Sequence, residues 1–278
     1  MKLIVSSKLS YSLEKPTDFV FQVRVAKTPL QFVESETFAL SSGPQFTPAT
    51  VGDQNRIICA RLPAGQTDVT YEATVDIGVA QYAPDIVEEF AFAELPPEVL
   101  PYLLPSRFCP SDLFTELAEQ QFQNLPRGFS RALAISDWVH STLAYEPGST
   151  GPHATATDVF QQGKGVCRDF AHLAISVCRA AGIPARYLSV YADALSPPDF
   201  HAVVEVFLKG PDGGAWFTVD PTHMASADAL ARISVGRDAA DVAFAWTLGN
   251  VDSTNPVVSI SAPERANTDR NSNAVVGS

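Results

Sequence analysis

The sequence predicts an α+β fold, with an N-terminal antiparallel β-sandwich-like domain followed by a core of helices and strands. Three observations support this prediction. Alternating strand-like segments fill the first part of the chain, helical segments follow a proline-rich stretch, and strand-like segments return after the helices. The chain has 278 residues and is 46% hydrophobic, so it can bury one large or two modest cores.

The first domain is predicted to cover residues 1–95. Turn residues such as Gly43-Pro44 and Gly52-Asp53 separate short segments rich in Val, Ile, Phe, Tyr and Thr. Regular short strands of this kind are typical of an antiparallel sandwich. The predicted strands are 2–12, 19–27, 31–40, 55–62 and 67–79.

A connector is predicted at 96–110, which contains five prolines. Proline cannot continue a helix or donate to a sheet ladder, so a domain boundary is expected there. The core is then predicted to cover 111–262. The chain is polar and aperiodic at its end, which predicts a mobile tail over 263–278.

Three helices are predicted to open the core. Ser111 suits the N-cap of the first helix and Ser130 that of the second. The third is predicted to begin at or near Cys167 and to end at Ala181, because Gly182 suits a left-handed C-terminal cap. The strands predicted after the helices are 185–192, 202–208, 215–220 and 257–261.

Composition narrows the possible partners and location. A formal net charge of −12 disfavours a phosphate-binding surface, so nucleic acid is not an expected partner. No stretch is long and apolar enough for a membrane span or a signal peptide, so a cytoplasmic location is expected. The four cysteines lack metal-binding spacing and are expected to be free thiols, and no cofactor is predicted.

The run Gly163-Lys-Gly-Val-Cys-Arg-Asp-Phe-Ala-His172 places Cys167 directly after a glycine-rich turn, at the predicted start of the third helix. Cys167 shares a helix face with Phe170 and Ala174, so it is expected to point inward from the first turn. Unpaired N–H groups at a helix start favour a thiolate and can bind an oxyanion. Cys167 is therefore a candidate nucleophile.

Two further candidates lie on the predicted strands. A hairpin that pairs His201 with Asp220 also pairs Glu205 with Trp216, and it sets an imidazole beside a carboxylate. Asp220 would then orient the ring and support its positive charge, while His201 exchanges protons with the sulfur and the leaving group. The predicted catalytic residues are thus Cys167, His201 and Asp220.

The other cysteines receive structural interpretations. Cys178 is predicted to fill the core, because an inward cysteine on a helix usually acts as a small apolar residue. Cys59 is predicted to lie in a strand, and Cys109 is predicted to be structural within the connector.

The remaining histidines are weaker candidates. His172 is predicted to interact with Asp169 on the same helix. A metal site made of His201, Asp220 and His223 is disfavoured, because the chain lacks a helical two-histidine motif or a thiolate cluster, and no metal is predicted.

With these residues identified, the chain resembles the transglutaminase-like superfamily, specifically the bacterial type with its own N-terminal β domain. The resemblance implies a papain-like α+β core, in which a helix carrying Cys167 packs on an antiparallel sheet carrying His201 and Asp220. It maps a catalytic triad onto these three residues. The matching stretches are Gly165-Val-Cys-Arg-Asp-Phe-Ala-His-Leu173, Ala180-Ala-Gly-Ile-Pro-Ala-Arg-Tyr187, Asp199-Phe-His-Ala202 and Trp216-Phe-Thr-Val-Asp-Pro-Thr222.

The resemblance implies a cysteine protease or amidohydrolase that forms a thioester with a peptide or protein amide substrate. Two alternatives remain open. An amine that replaces water as acceptor would make the enzyme a transglutaminase, and a core without activity would be a peptide-binding scaffold. The absence of a calcium-loop pattern disfavours a calcium-switched cross-linking enzyme.

Overall fold

The computed structural model describes residues 1–43, 45–52, 55–193, 195–248, 251–263 and 273–277. It confirms the α+β fold class: the main sheets are antiparallel, and a buried helix packs on one of them. The strands of the first part are β1 (Lys2–Leu13), β2 (Thr17–Phe21), β3 (Gln31–Leu40), β4 (Phe46–Val51), β5 (Asn55–Leu62), β6 (Gly65–Ile77) and β7 (Ala80–Tyr82).

These strands build two sheets around one apolar core. One sheet contains β1, β6 and β3 in that order, and the other contains β2, β5 and β4. In β1 every second residue is buried, as expected for a strand with one face against a core. Residues of both sheets, including Val5, Phe21 and Ile58, form a single buried cluster. The predicted antiparallel sandwich is therefore present.

The helices and strands of the second part surround the third predicted helix. None of these helices, within the residues that the structure describes, is long and apolar enough to cross a membrane. The cytoplasmic location stays a prediction. The elements are α1 (Thr115–Phe122), α2 (Phe129–Thr142), β8 (Ala144–Tyr145), α3 (Ala156–Gln162), β9 (Lys164–Gly165), α4 (Cys167–Ala180), β10 (Ala185–Ala192), β11 (Phe200–Gly210), β12 (Gly213–Val219) and β13 (Leu230–Gly236).

Helix α4 is the central element of this part. Its residues from Asp169 to Arg179 are all buried. It packs on β10 and β11 and is flanked by α1, α2 and α3. The connector contains a 3₁₀ helix at Pro97–Leu103, and a second 3₁₀ helix, Ser111–Phe114, follows it and leads directly into α1.

The C-terminal segments pair with both parts of the molecule. Strands β14 (Ala245–Thr247), β15 (Asp252–Ser253) and β16 (Val257–Ser261) join the two N-terminal sheets through β2 and β1. Strand β17 (Ala274–Val276) lies between β12 and β7 in the core sheet, whose order is β13-β10-β11-β12-β17-β7.

The predicted tail over 263–278 is therefore wrong for residues 274–276, which form a strand with two buried side chains. Backbone pairing on both sides, together with burial of Ala274 and Val275, outweighs the polar character of the sequence before them. Residues 264–272 and 278 lie outside the described residues. The domain boundaries stay a prediction, although the strands Ala245–Thr247, Asp252–Ser253 and Val257–Ser261, placed in the core by the sequence, pair with N-terminal strands.

His172 is a fully buried histidine in α4. Its ring stacks on Phe108 at 5.2 Å, and its Nε2 accepts a hydrogen bond from the Ala239 N–H at 3.2 Å. The carboxylate of Asp169 makes its hydrogen bonds with other groups, and its interaction with His172 is electrostatic and favours the protonated ring. Burial, reinforced by the positive charge of Arg168, lowers the pKa of His172 to about 3.

Replacing His172 with phenylalanine is expected to reduce the loss of folding stability that the protein undergoes as the pH falls from 8 to 5. The ring is protonated near pH 6.5 in the unfolded chain but only near 3 in the folded protein, so the unfolded state binds more protons between these values. Stability therefore falls as the pH falls below 6.5, by about 2 kcal/mol at pH 5. Urea unfolding at pH 8 and at pH 5 measures this difference for both proteins.

The comparison between the two pH values is needed because H172F also leaves the half-buried Ala239 N–H without its acceptor at every pH. The exposed His153, replaced in the same way, is the matched control. An equal loss of stability between pH 8 and pH 5 in H172F and in the unmodified protein would contradict the prediction.

Candidate active site

Cys167 is the first residue of α4, which confirms the predicted helix start. Two glycines shape the turn before it. Gly163 adopts φ +73°, and a Cβ added to Gly165 would lie 2.6 Å from the Cβ of Asp169. Val166 then takes the N-cap position in an extended conformation. The thiol is half-buried at the end of the helix where backbone N–H groups lack helical partners.

Asp169 fixes this turn from inside the protein. Its fully buried carboxylate accepts a hydrogen bond from the Val166 N–H at 2.9 Å and another from the hydroxyl of Thr150. The guanidinium of Arg168 donates at 2.9 Å and balances the charge. A carboxylate at the third helical position that binds the N-cap N–H holds the helix start in one geometry. The backbone of Cys167 is therefore held between Val166 and Asp169.

His201 and Asp220 lie in contact. Nε2 of His201 is 3.0 Å from Oδ2 of Asp220, and the two side chains are 0% and 4% exposed. The carboxylate also accepts hydrogen bonds from the N–H and hydroxyl of Thr222 and from the N–H of Ala225, at 2.7–2.9 Å. Burial alone would raise the pKa of Asp220, but the hydrogen bonds and charge of His201, with the donors of Thr222, lower it.

The imidazole of His201 has one nitrogen that does not contact Asp220. The ionised carboxylate of Asp220 can only accept a hydrogen bond, so Nε2 must carry the proton that it donates. Nδ1 is then the ring nitrogen that can accept a proton. Nδ1 is buried and makes no hydrogen bond of normal geometry within the described part of the chain. Burial opposes a charge on the ring, but its interactions with Asp220 and Cys167 outweigh burial and raise the pKa of His201 to about 10.

The hairpin register differs from the prediction by two residues. Glu205 pairs with Thr218 rather than with Trp216, because the strands are joined by a tighter turn than expected. A shift of two residues keeps every side chain on its predicted face. Asp220 follows the end of β12 and is not paired across from His201, yet its side chain reaches the ring.

Comparison with known proteins identifies the family. The family model "Transglutaminase-like superfamily" matches residues 115–221, from the start of α1 to the residue after Asp220. The crystal structure of a candidate cysteine protease from Cytophaga hutchinsonii is 33% identical, with a TM-score of 0.93 over 100% of this chain and 98% of that chain. The chain belongs to the transglutaminase-like superfamily.

Mycobacterial proteins share part of this transglutaminase-like chain. The uncharacterized protein ML0607 of Mycobacterium leprae is 39% identical over 119 residues, which are 40% of this chain and 41% of that protein. The uncharacterized protein Rv2569c of Mycobacterium tuberculosis is 31% identical over 138 residues, 46% of this chain and 44% of that protein. The chain thus matches less than half the length of these relatives. Superfamily membership and the Cytophaga structure together support a thiol-based enzyme.

The other cysteines of this transglutaminase-like protein lie in different surroundings. Cys109 and Cys178 are fully buried, and burial raises the pKa of each thiol to about 12. Cys59 is exposed on β5, as the strand prediction implied. Cys167 is half-buried, and its interaction with His201 contributes to the raised pKa of that histidine.

A metal site would need the side chain of His223 to join His201 and Asp220, but this side chain contacts residues of α2. Nε2 of His223 lies 3.1 Å from Oδ1 of Asp137 on α2, and its ring stacks on His140 at 4.1 Å. Within the described ranges, no group of three or more His, Cys, Asp or Glu side chains is arranged to hold a metal ion.

Tyr145 is a side chain near this transglutaminase-like site that sequence reasoning missed. It pairs with Gly165, two residues before Cys167, and its ring packs on Phe170 with the centroids 5.8 Å apart. Tyr145 and Gly165 are far apart along the chain, and no spacing rule connects them. Only the pairing of β8 with β9, two strands of two residues each, brings them together.

Proposed function

We propose that this protein is a thiol acyl-transfer enzyme that cleaves a peptide or other amide bond, with Cys167, His201 and Asp220 as its catalytic triad. One observation carries the proposal. The buried hydrogen bond between His201 Nε2 and Asp220 Oδ2 leaves Nδ1 available to a thiol at the start of α4. The solved structure of a candidate cysteine protease that matches the whole chain supports a peptide or protein as the substrate.

The geometry supports a two-step reaction. His201 takes the proton of Cys167 on Nδ1, and the sulfur attacks the amide carbonyl carbon, so that the carbonyl electron pair moves to oxygen. When this intermediate collapses, the C–N bond breaks and the leaving amine takes the proton from His201. Water then attacks the thioester and gives one proton to His201. The C–S bond breaks, the acid is released, and the proton on His201 returns to the sulfur. Asp220 stays ionised throughout and stabilises the charged ring.

Alkylation of the native protein with iodoacetamide tests the pairing of the thiol and the imidazole. Because the pKa of His201 is raised to about 10, the ring carries a positive charge in neutral solution, and a nearby cation makes a cysteine more reactive. We expect Cys167 to react readily at about pH 6, where an ordinary thiol with a pKa near 8.5 reacts slowly. Cys109 and Cys178 should stay unmodified in the folded protein, because they are fully buried. Peptide mass mapping measures each site.

His201→Gln should lower the rate of Cys167 alkylation at about pH 6 by at least about tenfold, because the positive charge beside the sulfur is lost. His153→Gln removes an exposed imidazole and should change nothing. The proposed triad is wrong if Cys167 is alkylated no faster than the exposed Cys59 and if His201→Gln leaves that rate unchanged. A non-catalytic scaffold then becomes the better interpretation.

A further inference from the structure

His223 lies in a turn of unusual backbone geometry, three residues after Asp220. Among the non-glycine residues that the structure describes, it alone has a positive φ, at 56°. A side chain makes this left-handed conformation unfavourable, so it persists only where neighbouring contacts hold it. Residues held in such conformations are concentrated at functional sites. The contacts of His223, rather than its backbone preference, therefore set the shape of the turn.

The turn supplies hydrogen bonds that orient the Asp220 carboxylate. Thr222 donates to Oδ1 from its N–H at 2.9 Å and from its hydroxyl at 2.7 Å, and the N–H of Ala225 donates to Oδ2 at 2.9 Å. His223 lies between these two donors, and its own N–H donates to the Asp220 carbonyl at 3.0 Å. Oδ2 is also the oxygen that lies 3.0 Å from Nε2 of His201. A change of φ at His223 would move the Ala225 N–H relative to this oxygen.

The side chain of His223 attaches the turn to helix α2. Its Nε2 lies 3.1 Å from Oδ1 of Asp137, and its ring stacks on that of His140, with the centroids 4.1 Å apart and the planes 12° apart. Asp137 and His140 are three residues apart on α2, so both lie on the same side of the helix. One side chain of the turn thus makes two contacts with one face of α2.

A cavity of about 280 Å³ lies between α2 and this turn. Its lining includes Leu133 and Asp137 of α2, together with Asp220, His223 and Ala225. Apolar packing therefore leaves space between the two elements, and the side chain of His223 reaches α2 beside this space. The Asp137 and His223 side chains are 67% and 36% exposed, and an exposed ion pair contributes little to the free energy of unfolding. We therefore expect these contacts to act locally, on the turn.

We propose that His223 is a positioning residue for Asp220: its contacts with Asp137 and His140 hold the turn in the conformation that keeps Oδ2 against His201. This inference rests on the proposed function, in which Asp220 supports the positive charge of the imidazole. His223 acts through Asp220 and takes no part in the transfer of protons.

Two substitutions remove the contact from opposite sides. Asp137→Ala removes the carboxylate from an exposed position on α2 and leaves the sequence of the turn unchanged. His223→Asn removes the imidazole but keeps a residue that tolerates positive φ. Without the contact, the hydrogen bond from His201 to Asp220 is expected to weaken, so the charged ring supports a thiolate on Cys167 less well.

The measurement is the rate of Cys167 alkylation by iodoacetamide at two pH values. At about pH 6 we expect each variant to react about three- to fivefold more slowly than the unmodified protein, which is the size expected for an exposed contact. At about pH 9.5, where an ordinary thiol is ionised without a neighbouring cation, the rates should differ by less than about twofold. The double variant should be no slower than His223→Asn alone, because both changes remove one contact.

His153→Asn is the matched control, because it replaces an exposed histidine in another part of the chain. Unchanged alkylation at the lower pH in either variant, while His201→Gln still lowers the rate, would overturn the positioning role and leave the proposed function intact. An equal fall at both pH values would show reduced access to the thiol instead, and would also overturn this role. If Cys167 of the unmodified protein reacts as an ordinary thiol at both pH values, the proposed function fails, and this inference fails with it.

Discussion

Replacing Cys167 with alanine is expected to abolish the acyl-transfer activity, with a fall of at least about 10⁴-fold in the nucleophile-dependent rate. The other cysteines cannot substitute, because Cys109 and Cys178 are buried away from solvent and Cys59 is exposed on a strand of the N-terminal sheets. The measurement is nitrophenolate release from p-nitrophenyl acetate, together with mass spectrometry of the acetylated Cys167 peptide.

Cys59→Ala is the matched control, because it removes a thiol that is exposed to the same probe. Equal acetylation of the unmodified protein and of C167A would place the reactive group elsewhere and contradict the triad. Added ethylamine extends the experiment to the acyl acceptor. Appearance of N-ethylacetamide at the expense of acetate would favour amine transfer, whereas acetate alone would favour hydrolysis.

Replacing Glu205 with glutamine is expected to lower the free energy of unfolding by about 3–5 kcal/mol. Its fully buried carboxylate accepts hydrogen bonds from Arg186 at 2.7 Å and from the guanidinium of Arg232. Burial would raise the pKa of Glu205, but the charges and hydrogen bonds of the two arginines lower it. A neutral amide leaves both buried cations without this countercharge. Urea unfolding at neutral pH measures the loss.

Asp68→Asn is the matched control for Glu205→Gln. Asp68 pairs with Lys8 on the surface, where both side chains are 40% or more exposed, so its loss should cost much less stability than the loss of the buried charge. Equal effects of the two substitutions would contradict the importance of the buried network. Arg186 also lies 4.0 Å above the ring of Trp216, so the glutamine variant is expected to loosen this part of the sheet first.

Sequence patterns predict features that depend on neighbouring residues along the chain. The start of α4 is one such feature, because the glycine turn, the N-cap position and the apolar stripe all lie within a few residues of Cys167. The shared sheet face of His201 and Asp220 is another, because an error of two residues in the register leaves every side chain on its predicted face. The contact between the two side chains follows from this alternation and from the short connection between their strands.

Other elements are absent from the sequence prediction. Strand β13 is buried along its whole length and shows no alternation, whereas β4 is exposed along its whole length. Helix α3 is only seven residues long. It did carry a signal that could have revealed it, since Thr155 and Asp158 form a capping box at its start. Tyr145 joins the site only through pairing between two short strands, which depends on the assembled fold.

Strands from both ends of the sequence contribute to each part of the molecule, and this pairing limits which substitutions the chain can accept. Strand β16 lies against β1, and Tyr191 of the core sheet donates its hydroxyl to the Val23 carbonyl at 2.8 Å. No single cut of the backbone therefore separates a complete N-terminal sandwich from a complete core sheet. Substitutions in β1 and in β16 must remain compatible although the two strands lie near opposite ends of the sequence. Recombination between two genes at the connector would combine β1 of one protein with β16 of another. In relatives with this topology, the segments that encode β1 and β16 are therefore expected to be inherited together.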